Sequence, residues 1–227
     1  MPRNQPIVGP GGRGLSSRRL PLSFYLRPAV TVARDLIGRV LVHRVDGTRL
    51  AGRIVETEAY QGVRDRASHA SRGRTPRTEP MFWRGGHAYV YLVYGMYHCF
   101  NVVTAREGEP QAVLIRAVEP LEGVDRMRRN SPRCRADDLG RGPGRLCRSM
   151  KLDLSRDRSS LLGRTVWLEE GAPLPRSRVA RGERIGVDYA GPWARKPWRF
   201  GWRGHGGLSR AFPAPKQEPL ARRPPGT

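Results

Sequence analysis

Apolar positions along the chain come in short blocks, and the spacing inside each block points to an element. The ordered pattern starts near Leu20. Thr31 stands as an N-cap ahead of a short helix over 32–37, and Gly38 as its stop. Residues 40–44 read as a strand, Asp46-Gly47 as a hairpin turn, and 50–60 as the returning strand. Residues 61–80 are polar and aperiodic, a long loop of the kind that is often functional in a compact domain.

The aromatic block 87–103 reads as two strands joined by a tight turn around 94–97. Residues 111–118 form another strand, and Pro120 can open a helix running to about 129. A charged loop, 130–141, leads into Gly142-Pro143-Gly144 and a short helix. Strands over 165–169, 184–187 and 198–202 close the pattern. The expected fold is α+β: a single domain with a mixed, mainly antiparallel curved sheet, short flanking helices and a protruding β-hairpin. The domain spans 19–207. A flexible basic arm (1–18) and a Pro-rich basic tail (208–227) flank it and are too polar to join a core.

Charge narrows the function. The chain carries 42 Lys and Arg against 20 Asp and Glu, a net +22. Such a field draws polyanions, nucleic acid first. No run of 18 apolar residues favours a membrane, and no apolar signal core stands at the N-terminus. A cytoplasmic, nucleoid-associated protein of bacterial type is expected. Cys99, Cys134 and Cys147 form no CxxC pair, and the five histidines show no metal-ligand spacing, so neither a disulfide framework nor a metal is expected.

Two features could carry chemistry. On a strand, Ile54, Glu56, Glu58 and Tyr60 share one face. The two carboxylates then lie about 6 to 7 Å apart at the backbone. The residues alone do not rank Glu56 against Glu58, and an exposed strand of paired glutamates is the plainer reading. The second feature is Tyr89, Tyr91, Tyr94 and Tyr97, four of the seven tyrosines. A packed hairpin explains them, but Gly95 permits a reversal that holds the Tyr94 ring at a tip, as base stacking or wedging needs.

Other chemistries lack their residues. Only Lys151, Lys196 and Lys216 could act as amine nucleophiles, and none lies in the acidic or aromatic block. Pro2 sits in the basic arm beside Arg3 and Asn4, with no carboxylate. There is no zinc-deaminase spacing, Walker loop or GxGxxG after a strand. An O-glycosidase needs carboxylates facing each other across a sugar, which neighbours on one strand face do not.

The motifs Arg53-Ile54-Val55-Glu56-Thr57-Glu58-Ala59-Tyr60, His69, Arg74-Thr75-Pro76-Arg77 and Met81-Phe82 resemble the alkyladenine DNA glycosylase (3-methyladenine DNA glycosylase) family. So do 89–97 through Asn101, 114–123, Gly142-Pro143 with Leu146-Cys147, and 193–197, in the same order over about 32–203. The resemblance implies a monofunctional, cofactor-free monomer acting on double-stranded DNA. It would flip and hydrolytically excise alkylated or deaminated purines of the 3-methyladenine, 7-methylguanine, hypoxanthine and ethenoadenine type.

The same resemblance assigns roles. Glu58 becomes the general base, and Arg116 and the backbone carbonyl of Ile185 contacts of the attacking water. Tyr60, His69 and Tyr91 sandwich the base, and Asn101 crowds the amino group of normal guanine. Tyr94 is the wedge, with Met96 and Tyr97 beside it in the minor groove. The alternative from another class is a non-catalytic nucleic-acid-binding protein. Thr78, Arg145, His98 and Phe100 depart from the family's usual residues and bear on lesion range and phosphate contacts.

Overall fold

Strands β1 (Val40–Val45) and β2 (Thr48–Gln61) form the hairpin announced by Asp46-Gly47. Both turn residues take positive φ, 48° and 74°, as a two-residue turn matched to strand twist requires. The structure, a computed structural model, describes residues 18–172 and 174–213. The expected basic arm, apart from Arg18, and the expected tail beyond Pro213 lie outside the described residues.

Two short helices, α1 (Leu22–Tyr25) and α2 (Ala29–Asp35), precede β1. The N-cap of α2 is Pro28, not Thr31. Proline presets φ and has no N–H to satisfy, and the N–H of Ala29 donates to Gln111 Oε1 at 2.8 Å. Helix entry therefore needs no hydroxyl at Thr31. Val32, Ala33 and Leu36 are fully buried in the main core.

Strands β3 (Ala88–Val93), β4 (Tyr97–Val103), β5 (Gln111–Glu122), β6 (Val166–Glu169), β7 (Val179–Gly182) and β8 (Arg199–Trp202) complete an eight-stranded sheet. Its main path runs β3-β4-β5-β2-β1-β6, and every strand pair is antiparallel. β2 is the branch point. One edge pairs with β5 along its length, and the other is shared by β1 and, over residues 56–58, by β8.

Register shifts interrupt the β2–β5 ladder on either side of Glu56. Val55 is extra on β2, and Arg116 is extra on β5. A bulge re-aims side chains, and it changes one expectation. Ile54 does not share a face with Glu56 and Glu58; it lies in the main core with Leu36 and Phe200, because the inserted Val55 breaks the alternation. The other bulge frees Arg116 from the ladder at the level of the two glutamates.

Two further expectations are corrected. Pro120 belongs to β5, opposite Gly52. The helix α3 (Val124–Asn130) starts only after Gly123, whose φ of 71° is left-handed. A Cβ on Gly123 would lie 2.6 Å from Arg49 O, so the chain turns out of the strand there rather than at the proline. Residues 184–187 are not a strand; that role falls to β7. Arg184 turns inward to bind Asp65, and the Ile185 N–H is spent on a side chain, which leaves no extended edge to pair. The short helix expected after Gly142 is α4 (Pro143–Ser149).

Candidate active site

Directly opposed residues of antiparallel strands project to one face. Tyr89 opposes Asn101, Asn101 opposes Leu114, and Leu114 opposes Glu58. One row thus crosses β3, β4, β5 and β2. In the next row Ala112 opposes Tyr60. This face opens into a cleft of about 720 Å³, closed by His69 from the 61–80 loop and by Ile185.

Glu58 is fully buried and sits just behind that cleft. Its Oε1 accepts from the Ile185 N–H and its Oε2 from the Tyr60 hydroxyl, both at 2.8 Å. Arg116 Nη1 lies 3.4 Å from Glu58 Oε2. Tyr60, Arg116 and Ile185 all line the cleft, so the carboxylate is reached only between them. Burial works against the Arg116 charge, but Glu58 and Glu56 more than offset it and hold the guanidinium protonated.

Aromatic rings form the rest of the wall. His69 and Tyr91 meet edge-on with centroids 4.5 Å apart, and Tyr89 lies 5.2 Å from Tyr91. His69 Nδ1 shares a hydrogen bond with the Tyr89 hydroxyl at 2.9 Å. Burial, aided by Arg77 and Arg72, pushes the His69 imidazole down to about 4, so it is neutral at physiological pH. Burial and then Glu58 push the Tyr60 phenol well up, and it stays a donor.

Asn101 is buried, and its amide nitrogen donates to Tyr89 O at 3.0 Å and Cys99 O at 3.3 Å. Both N–H bonds are spent on backbone, which leaves Oδ1 as the polar atom for the cleft it lines.

The β3–β4 hairpin turns at Tyr94 and Gly95, with φ of 49° and 70°. Tyr94 is 88% exposed and reaches the cleft rim. Met96 and Tyr97 are exposed beside it but do not line the cleft. Tyr97 packs on α4: a Cβ on Gly144 would lie 3.0 Å from its ring. The glycine after Pro143 is therefore the space that ring occupies.

Sequence reasoning missed the frame behind these groups. Arg184 binds Asp65 through two contacts of 2.6 and 2.9 Å, with both side chains fully buried. It also donates to Ala59 O and Trp193 O at 3.0 Å each, and its guanidinium lies 4.8 Å from the Tyr60 ring centroid. Asp65 in turn accepts from the N–H of Gln61 and of Ala67. This ion pair ties the loop carrying His69 to the strand carrying Glu58. No local pattern signals a pair 119 residues apart.

A strongly basic chain with a buried carboxylate behind an aromatic cleft has the organisation of a DNA glycosylase, an enzyme that hydrolyses N-glycosyl bonds in DNA repair. The family model of methylpurine-DNA glycosylase matches residues 23–206. A protein of Myxococcus xanthus is 51% identical over 200 residues, covering 88% of this chain and 98% of its own length. One of Methanocella arvoryzae is 48% identical over 183 residues (80% and 90%), and one of Bacillus thuringiensis 44% over 201 (84% and 98%). Each of these is provisionally named a 3-methyladenine DNA glycosylase. The chain belongs to the methylpurine-DNA glycosylase family. Among the described residues no helix is long and apolar enough to cross a membrane.

Proposed function

We propose that this enzyme flips alkylated or deaminated purines, of the 3-methyladenine, 7-methylguanine, hypoxanthine and ethenoadenine type, out of duplex DNA and hydrolyses their glycosidic bond. The observation that carries the reading is Glu58, fully buried and directed by Tyr60, Arg116 and the Ile185 N–H at the back of an aromatic cleft.

In this reading Glu58 is the general base. A water entering from the cleft side gives its proton to Glu58 while its oxygen bonds to the anomeric carbon. The C1′–N bond breaks with oxocarbenium character, and its electron pair leaves with the purine. Oε2 already faces both Tyr60 and Arg116, whereas Oε1 has a second lone pair beside the Ile185 N–H, so Oε1 can accept that proton. Arg116 and the carbonyl of Ile185 hold the water. Tyr60, His69 and Tyr91 stack on the base, and a cationic lesion gains about 0.5 to 2 kcal/mol per good ring contact. The backbone N–H of His69 reads the base edge.

Asn101, fixed by two backbone carbonyls, gives no room to the amino group of normal guanine. Tyr94 wedges into the gap that the flipped nucleotide leaves, with Met96 and Tyr97 along the minor groove. In this reading the enzyme acts as a monomer. Lys151 pairs with Asp46 and Lys196 lies over Trp193. Neither of these two lysines lines the cleft; Pro2 and Lys216 lie outside the described residues.

A non-catalytic binding module explains the charge but not the interior. Burying Glu56 and Glu58 with Arg116 and Arg199 carries a desolvation cost of several kcal/mol per ion, which binding alone gives no reason to sustain. The test is incubation with duplex DNA holding one hypoxanthine or one ethenoadenine, then alkali. Strand breaks at the lesion are expected. Absence of release from every alkylated or deaminated purine tried favours the binding module.

A further inference from the structure

Glu56 has no part in the chemistry above, yet it is as deeply buried as Glu58. Its Oε1 accepts from Arg199 Nη1 at 2.9 Å and lies 3.4 Å from Arg116 Nε. Its Oε2 accepts from the backbone N–H of Ser209 at 2.6 Å. Ser209 stands beyond the family match, which ends at residue 206, and at the start of the stretch expected to be a free tail.

The described residues of that stretch, 208–213, pack on the domain. Leu208 is buried, and its carbonyl accepts from Arg141 Nε at 2.9 Å. Arg199 donates to the carbonyls of Arg210 and Ala211 and stacks on the Phe212 ring at 3.8 Å. The Phe212 ring in turn lies over Gly201 of β8, where a Cβ would come within 2.3 Å of it. The fold thus continues to Pro213.

The consequence falls on Arg116. A guanidinium is a rigid fork of five donors. The Ser209 hydroxyl oxygen accepts from Arg116 Nη2 at 3.2 Å and Nε at 3.4 Å, and Glu56 faces the same Nε. One edge of the fork is therefore gripped from behind, and Nη1 is the nitrogen left for Glu58. Without that grip Arg116 is free to rotate away from Glu58 and into the cleft.

We propose that Ser209 and Glu56 are positioning residues for Arg116, so that the segment 208–213 completes the active site from behind. The proposal rests on the roles of Glu58 and Arg116 argued above. It uses a different class of group from the stacking wall: a hydroxyl and a carboxylate that do not line the cleft.

Ser209→Ala in the full chain is the test, since the side chain is only partly buried and its loss leaves the backbone contacts in place. Excision at saturating enzyme is expected to fall about five- to tenfold, the scale of one hydrogen bond to a charged group, with lesion-DNA affinity and Tm held. Ser209→Thr, which keeps the hydroxyl, recovers most of the rate. In an Arg116→Met background, Ser209→Ala changes the rate less than about twofold, as a contact acting through Arg116 requires.

A second measurement is independent of activity. The Arg116 Nε–H signal, identified by its loss in Arg116→Met, exchanges with solvent about tenfold faster in Ser209→Ala. A wild-type rate and an unaltered Arg116 signal overturn the proposal, as does a full Ser209→Ala effect persisting without Arg116. If the wild-type chain releases no purine, the hydrolase reading falls instead, and the exchange measurement still decides whether Ser209 holds Arg116.

Discussion

The Tyr60 hydroxyl donates to Glu58 Oε2 at 2.8 Å, so one residue joins the cleft wall to the carboxylate behind it. The pair is two positions apart on β2, on the same face. Tyr60→Phe keeps the ring and removes the tie. Single-turnover excision is expected to drop about tenfold, the scale of a charged hydrogen bond, with lesion-DNA affinity unchanged. Tyr60→Ala is expected to lower both. Equal losses of affinity and rate in Tyr60→Phe would count against a role for the hydroxyl.

His69 gives a pH signature. Its folded pKa is lowered to about 4, by burial first and then by Arg77 and Arg72, whereas an unfolded histidine titrates near about 6.5. Between those values the unfolded chain binds the extra proton, so stability falls as pH drops through the window. His69→Gln is expected to flatten the dependence of Tm on pH between 4 and 6.5. An unaltered slope would contradict a neutral, buried imidazole.

The Asp65–Arg184 clamp is a matter of stability first. Removing one partner of a fully buried pair strands the other, at about 3–5 kcal/mol. For a domain of this size Asp65→Asn is then expected to lower Tm by about 10 °C. Excision is expected to fall as well at temperatures where the variant is folded, because the loop carrying His69 and the cation behind Tyr60 lose their anchor. A Tm within two degrees of wild type would show that the clamp is dispensable.

Tyr94 is 88% exposed, so Tyr94→Ala is expected to leave stability within about 0.5 kcal/mol. Affinity for lesion-bearing duplex is expected to fall about tenfold, the scale of one lost stacking contact. Measured by fluorescence anisotropy, an unchanged Kd would remove the wedge from the account.

The two hairpins were legible because clear turns mark them: Asp46-Gly47 closes β1 to β2, and Tyr94-Gly95 closes β3 to β4. Departures came where tertiary partners override local rules. Gln111, 82 residues from Ala29, starts α2 at Pro28 and displaces the hydroxyl cap expected at Thr31. The bulge at Val55 moves Ile54 into the core, and a period of two cannot announce a bulge. Glu58, Tyr60, His69 and the hairpin tip could be named from motifs. Asp65, Arg184, Arg199 and Ser209 could not, since each matters through a partner distant along the chain.

The central claim is that Glu58 activates the water. Its most direct test is single-turnover release of hypoxanthine, or another purine lesion that the wild-type enzyme excises, by Glu58→Gln, with lesion-DNA binding measured in parallel. Gln keeps the shape and an acceptor but not the base. The account expects release to fall by about 10² to 10⁴, the usual weight of general-base catalysis, with binding retained. Release at the wild-type rate in a folded, lesion-binding Glu58→Gln protein would contradict it.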